Sequence, residues 1–133
     1  MKKIAIILCV FFAFTAKGQA HLGSPESEIK NLHSENSWKS GTTNDGTKYI
    51  YTDFNYGTFY YYFDSETKLS KLCIQYPFNV VRLNGQVEAY NKKYVITSDT
   101  SWTAYLEDGG IMYIKLMYNK ESKISYFTYS DTK

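Results

Sequence analysis

The sequence predicts an α+β fold: an antiparallel β-sheet of about six to seven strands with two helices, in the order helix–meander–helix–meander, behind a signal-peptide segment. Three observations carry this. Alternation of period two runs through residues 48–76 and again through 102–129, broken by short turns rich in Asn, Asp and Gly. Two stretches, one following Ser24 and one over residues 79–93, show helical spacing instead. Finally, the 133 residues include 14 tyrosines and are 18% aromatic, a composition that suits strands better than helices. Runs of strands with segregated helices give an antiparallel sheet rather than a parallel one.

The first twenty residues read as a secretory signal. Lys2 and Lys3 supply the positive start, and Ile4 to Phe14 is an unbroken apolar run. Spanning a bilayer takes roughly 20 apolar residues, so this run is too short for a membrane helix. The best cleavage point follows Ala20, with cleavage after Gly18 as the alternative. Cys9 lies inside the apolar run with no small residue before it, so no lipoprotein anchor is expected. Residues 21–133 are then a single exported domain, periplasmic or secreted, without a stable membrane anchor. Cleavage removes three of 15 basic residues and none of 13 acidic ones, leaving 12 against 13, a formal charge of −1. A near-neutral domain has no electrostatic reason to seek nucleic acid or anionic lipid. Cys73 is left as a lone cysteine, so no internal disulfide can form.

The first helix is signalled by Ser24 as N-cap and Pro25 at the first helical position. Glu26 and Glu28 favour its first turn, and Glu26 can pair with Lys30. Ile29, Leu32 and His33 are its expected inner face, with an end near Glu35–Asn36. A polar loop follows, through Gly46. Lys48–Phe54, Thr58–Phe63 and Leu69–Tyr76 then form a three-stranded meander ended by Pro77. Within 79–93, Asn84-Gly85 is a hairpin signal, but Val80, Leu83, Val87, Tyr90 and Tyr94 recur at helical spacing and Asn79 can cap. The spacing predicts a helix, with Arg82, Gln86, Glu88 and Lys92 facing water. Strands are expected at Tyr94–Thr97, Trp102–Glu107, Ile111–Tyr118 and Lys123–Tyr129.

Several features together resemble a group of small exported proteins of Bacteroidota: Leu22-Gly23-Ser24 leading to Glu28-Ile29, an aromatic meander, Cys73 before Tyr76-Pro77, Tyr90-Asn91-Lys92-Lys93-Tyr94, and Trp102 opening the next strand. The resemblance implies export and brings no activity with it. More distantly, the helix-then-meander halves are similar in architecture to β-lactamase-inhibitor proteins and to the outer-membrane assembly lipoprotein BamE. That likeness is one of fold alone.

The chemistry is sparse. No Gly-x-Ser-x-Gly elbow, phosphate-binding Walker loop, His-Glu-x-x-His or Cys-x-x-Cys occurs, and the aspartates fall at turns or strand ends. No catalytic residue, cofactor or metal is assigned. If His21 became the N-terminus, its amine and imidazole could hold copper with His33, but no third histidine exists to complete such a site. Cys73 alternates with Leu72 and Ile74, which puts it on the more polar face of its strand; burial beneath a helix is the expected environment, an exposed bridging thiol the alternative.

The tyrosines remain. Tyr49 and Tyr51 point one way from their strand and Ile50, Thr52 and Phe54 the other; Tyr60 and Tyr62 oppose Phe59, Tyr61 and Phe63. One face is core, and the opposite face is more aromatic than a merely solvated sheet needs. Tyrosine joins an apolar body to a polar tip and binds surfaces at low entropic cost. The expected function is a non-catalytic binding module for a protein, peptide or glycan, through Tyr49, Tyr51, Tyr60, Tyr62 and Trp102. The second reading is a small exported hydrolase, which would need paired carboxylates, one with a raised pKa.

Overall fold

Two antiparallel meanders lie side by side in one eight-stranded sheet. The first comprises β1 (Lys39–Thr42), β2 (Lys48–Phe54), β3 (Gly57–Phe63) and β4 (Ser70–Pro77); the second comprises β5 (Val95–Ser98), β6 (Ser101–Tyr105), β7 (Ile111–Asn119) and β8 (Ile124–Ser130). Across the sheet the order is β1-β2-β3-β4-β8-β7-β6-β5, so the last strands of the two meanders meet at the centre. There Cys73 faces Tyr129 and Gln75 faces Phe127. Helices α1 (Glu26–Leu32) and α2 (Val80–Lys93) each precede a meander. This computed structural model describes residues 20–133, so the expected signal segment, apart from Ala20, lies outside the described residues.

The predicted α+β order holds, but there are eight strands rather than six or seven. The missed strand is β1, whose sequence Lys-Ser-Gly-Thr has no apolar alternation and reads as loop. It exists because β2 offers it a partner edge, with Gly41 opposite Tyr49. A Cβ at Gly41 would collide with the Tyr49 ring, so glycine is what lets that ring lie across the edge strand.

Cross-strand partners share a face, and the register therefore sorts the sheet into two. Ile50, Phe59, Tyr61, Phe63, Cys73, Phe127, Tyr129, Ile114, Met112, Trp102 and Ala104 form the buried face. Both helices cover it: Ile29 of α1 is fully buried there, and Leu83, Val87 and Tyr90 of α2 pack on the same cluster. Cys73 is thus buried beneath the helices and not on a polar face. Its neighbour Gln75, equally buried, is the residue that made that side of the strand look polar.

Several helix details differ from expectation. Pro25, not Ser24, occupies the N-cap of α1, and its backbone bridges to Leu69 instead of entering the helix. The helix stops at Leu32, with His33 outside the helical region at φ −129 and ψ 51. Leu32 is half-exposed and off the inner face. The Glu26–Lys30 pair forms at 2.7 Å, and Lys48 joins it from β2. In α2, Asn79 caps as expected, its side chain accepting from the Arg82 N–H at 2.9 Å. Val80 is exposed rather than packed. Gln86, expected in water, turns inward. Its amide exchanges hydrogen bonds with Gln75, Gln75 Nε2 donating to Gln86 Oε1 at 2.7 Å, and its Nε2 also reaches Tyr90 Oη at 3.0 Å. Tyr129 Oη donates to Gln75 Oε1 at 2.7 Å and lies 2.6 Å from Tyr90 Oη. Periodicity counts apolar residues, so it could not show that a buried Gln on β4 requires a polar partner above it.

Candidate functional site: the open tyrosine face

The face turned away from the helices carries Tyr49 and Tyr51 from β2, Tyr60 and Tyr62 from β3, Tyr76 from β4 and Tyr126 from β8. Register places Tyr49 opposite Tyr62 and Tyr51 opposite Tyr60. Strand alternation sends all of these rings to one side, and each is half-buried rather than covered. The rings are contiguous. Tyr51 and Tyr60 stack at 4.6 Å between centroids and 12° between planes, and Tyr49 contacts Tyr62 at 5.4 Å. Tyr76 continues the row, at 5.6 Å from Tyr60 and 5.4 Å from Tyr126. Lys39 Nζ lies 6.0 Å above the Tyr51 ring at the outer edge.

Four of the five predicted site residues therefore meet in one patch: Tyr49, Tyr51, Tyr60 and Tyr62. Trp102 does not. It is buried on the opposite face, where its ring packs 5.7 Å from Tyr90 and its Nε1 donates to Asn91 Oδ1 at 2.8 Å. The parity of β6 decides this: Trp102 pairs with the buried Ile114 and so shares its face. Tyr76 and Tyr126 were missed, although Tyr76 alternates with Cys73 and Gln75 and so shares the open side with Leu72 and Ile74. At this end the patch becomes concave. Thr58, Tyr60, Tyr76 and Tyr126 line a hollow of about 710 Å³ together with the exposed Phe78 and Ile124.

Tyr60 and Tyr62, at the middle of the patch, are held in the neutral phenol form. Desolvation pushes the Tyr62 hydroxyl up to about 12, with Tyr76, Tyr60 and Tyr49 adding to the effect. Tyr60 is also raised, first by desolvation and then by its neighbours Tyr51 and Tyr76. Packed phenols resist ionising because each phenolate would sit beside the others in partly excluded water. The surface thus offers π-faces and neutral hydroxyls that both donate and accept.

No Asp or Glu among the described residues is buried. Asp45 is lowered to about 2 by hydrogen bonds from Thr43 and Thr47, and Asp64 is lowered by the N–H groups of Thr67 and Glu66. These carboxylates close turns, and their shifts run opposite to what a general acid needs. His21 and His33 do come together, with Nε2 atoms 2.8 Å apart and both residues buried. Among the described residues no group of three metal-ligating side chains accompanies them.

No family model, curated protein or solved structure matches this chain.

Proposed function

We propose that the protein is a non-catalytic exported binding module whose open tyrosine face engages a protein, peptide or glycan surface. The observation that carries this is the continuity of six half-exposed tyrosines on the sheet face that neither helix covers. Contiguous aromatic surface of this kind is uncommon on a domain that uses its sheet only for support. Rings already stacked on one another lose little freedom on binding, and their hydroxyls give direction to an otherwise apolar contact. Export rests on the basic start and short apolar run of residues 1–20 and on the resemblance to exported Bacteroidota proteins.

The test is affinity capture from the native cell envelope, with the tagged protein and its Tyr60→Ala/Tyr62→Ala variant as parallel baits. The reading expects partners held by the first and lost by the second, with both baits melting as folded domains. Equal capture by both would overturn it. No observation favours the hydrolase reading.

A further inference from the structure

A second cavity lies on the covered side of the sheet, along one flank of α2. Its volume is about 970 Å³, at the upper end of what ligand pockets occupy. Phe59, Met112 and Ala20 contribute to one side, and Val81, Gly85 and Ala89 are the helix wall. The small residues at 85 and 89 leave room along the helix, and a Cβ at Gly85 would meet nothing within 4 Å.

Most of the polar groups that reach this cavity from its wall are already committed, the hydroxyls of Tyr56 and Tyr94 being the others on the lining. Gln86, Tyr90 and Tyr129 line it, but their amide and hydroxyl groups bond to one another and to Gln75. A ligand with a polar body would find few vacant partners along the wall, so recognition there must come from apolar contact. The rim differs. Arg82 and Lys92 stand on it, and neither is in an ion pair with a described carboxylate. α2 carries Arg82, Lys92 and Lys93 against the single acid Glu88. Arg82 also lies in the first turn, where helix dipoles favour an anion. An apolar trough beside one helix of about 21 Å, with Arg82 near its first turn and Lys92 near its last, is complementary to a slender molecule that is apolar along its length and carries its negative charge at an end.

We propose that this trough binds a single-chain anionic amphiphile of the fatty-acid type, its acyl chain against Val81, Gly85, Ala89, Phe59 and Met112 and its carboxylate at Arg82. The site lies on the opposite side of the sheet from the tyrosine face and does not depend on it.

The test titrates the protein, with its N-terminus as the exporting host leaves it, with palmitate below its aggregation threshold. Hexadecanol and hexadecyltrimethylammonium serve as uncharged and cationic analogues. Palmitate should bind in a single stoichiometric step, about tenfold or more tighter than the alcohol, with the cation weakest. Arg82→Ala should reduce palmitate to the affinity of the alcohol and leave the alcohol unchanged. Gly85→Leu places a side chain in the trough and should abolish binding of both while the melting temperature holds. Should Gly85→Leu unfold the domain, Ala89→Leu is the replacement. Equal affinity for acid, alcohol and cation, or full palmitate binding by a folded trough-filling variant, would overturn the proposal.

Discussion

On the covered face of the sheet a tyrosine is a core residue with its hydroxyl tied down. Tyr129 is buried and its hydroxyl bonds to Gln75, while Tyr90 drops from α2 to meet it at 2.6 Å. On the open face Tyr51 and Tyr60 stack on each other and keep their edges in water. The same residue type thus serves two different ends, and what separates them is the presence of a helix above the strand. Burial forces each phenol to find an acceptor, so the covered face acquires a polar network linking β4, β8 and α2. The open face has no such demand, so its rings arrange for mutual contact.

The difference should show first in the cost of truncation. Trp102→Ala removes a fully buried ring and leaves Asn91 without its donor, and should destabilise by about 3–5 kcal/mol, a large share of a small domain's stability. Urea unfolding measures this. A loss near zero would return Trp102 to the surface and dissolve the division between the faces.

Acid should act next, and between pH 6.5 and 4 it acts through two histidines of the covered side. Burial lowers His21 to about 4, helped by the neighbouring His33, and lowers His33 as well. The unfolded chain takes up these protons near pH 6.5, whereas the folded chain resists until well below it. Stability is therefore fully present above about pH 6.5 and falls as pH drops toward 4, by an amount on the order of 2–3 kcal/mol. At low pH two imidazolium N–H groups would point at each other across the 2.8 Å contact. Glu35, whose charge favours protonated His33, offsets part of the loss. Chemical denaturation across this range checks the slope, and His33→Gln should flatten it. An unchanged slope in that variant would place the acid sensitivity elsewhere.

The third effect is smaller. Tyr60→Ala with Tyr62→Ala removes half-exposed rings from an open face, and the expected cost is about 1–2 kcal/mol, mostly from lost ring pairs with Tyr49, Tyr51 and Tyr76. Thermal melting with circular dichroism checks it. A cost equal to that of Trp102→Ala would mean the open face is core after all.

Much of this division was legible in the sequence, because alternation fixes which residues share a side. Tyr49, Tyr51, Tyr60 and Tyr62 could be grouped from their spacing alone, and all four lie in one patch. What alternation lacks is the identity of the covered side wherever both sides are apolar or polarity misleads. In β4 the helices cover Cys73 and Gln75 and leave Leu72 and Ile74 on the tyrosine side, against the hydropathy of those residues. Trp102 was misplaced for a related reason: its strand is short, and only pairing with β7 reveals its parity. β1 carries no hydropathy signal, since its partner strand and the space above Gly41 create it. Nor does a sequence show that His21 and His33 meet, twelve residues apart, because that contact depends on how the segment before α1 returns along Ser70, whose hydroxyl donates to the His21 carbonyl.

The finest test of the comparison concerns what keeps one face covered. If α2 were instead an Asn-Gly hairpin, no helix would lie over β4 and β8, and the two faces would be alike. Gly85 distinguishes the cases. Within the helix between Val80 and Lys93 it has no close neighbour for an added Cβ, and it carries the entropic cost of glycine in a helix interior. Gly85→Ala should therefore be neutral or stabilise by up to about 1 kcal/mol. In a type I′ turn the glycine would need positive φ, and the same change would destabilise instead. Paired urea melts of the two proteins resolve a difference of this sign. A clear loss in the alanine variant would remove the helix, and with it the lid that makes Tyr129 a core residue while Tyr60, across the sheet, remains at the surface.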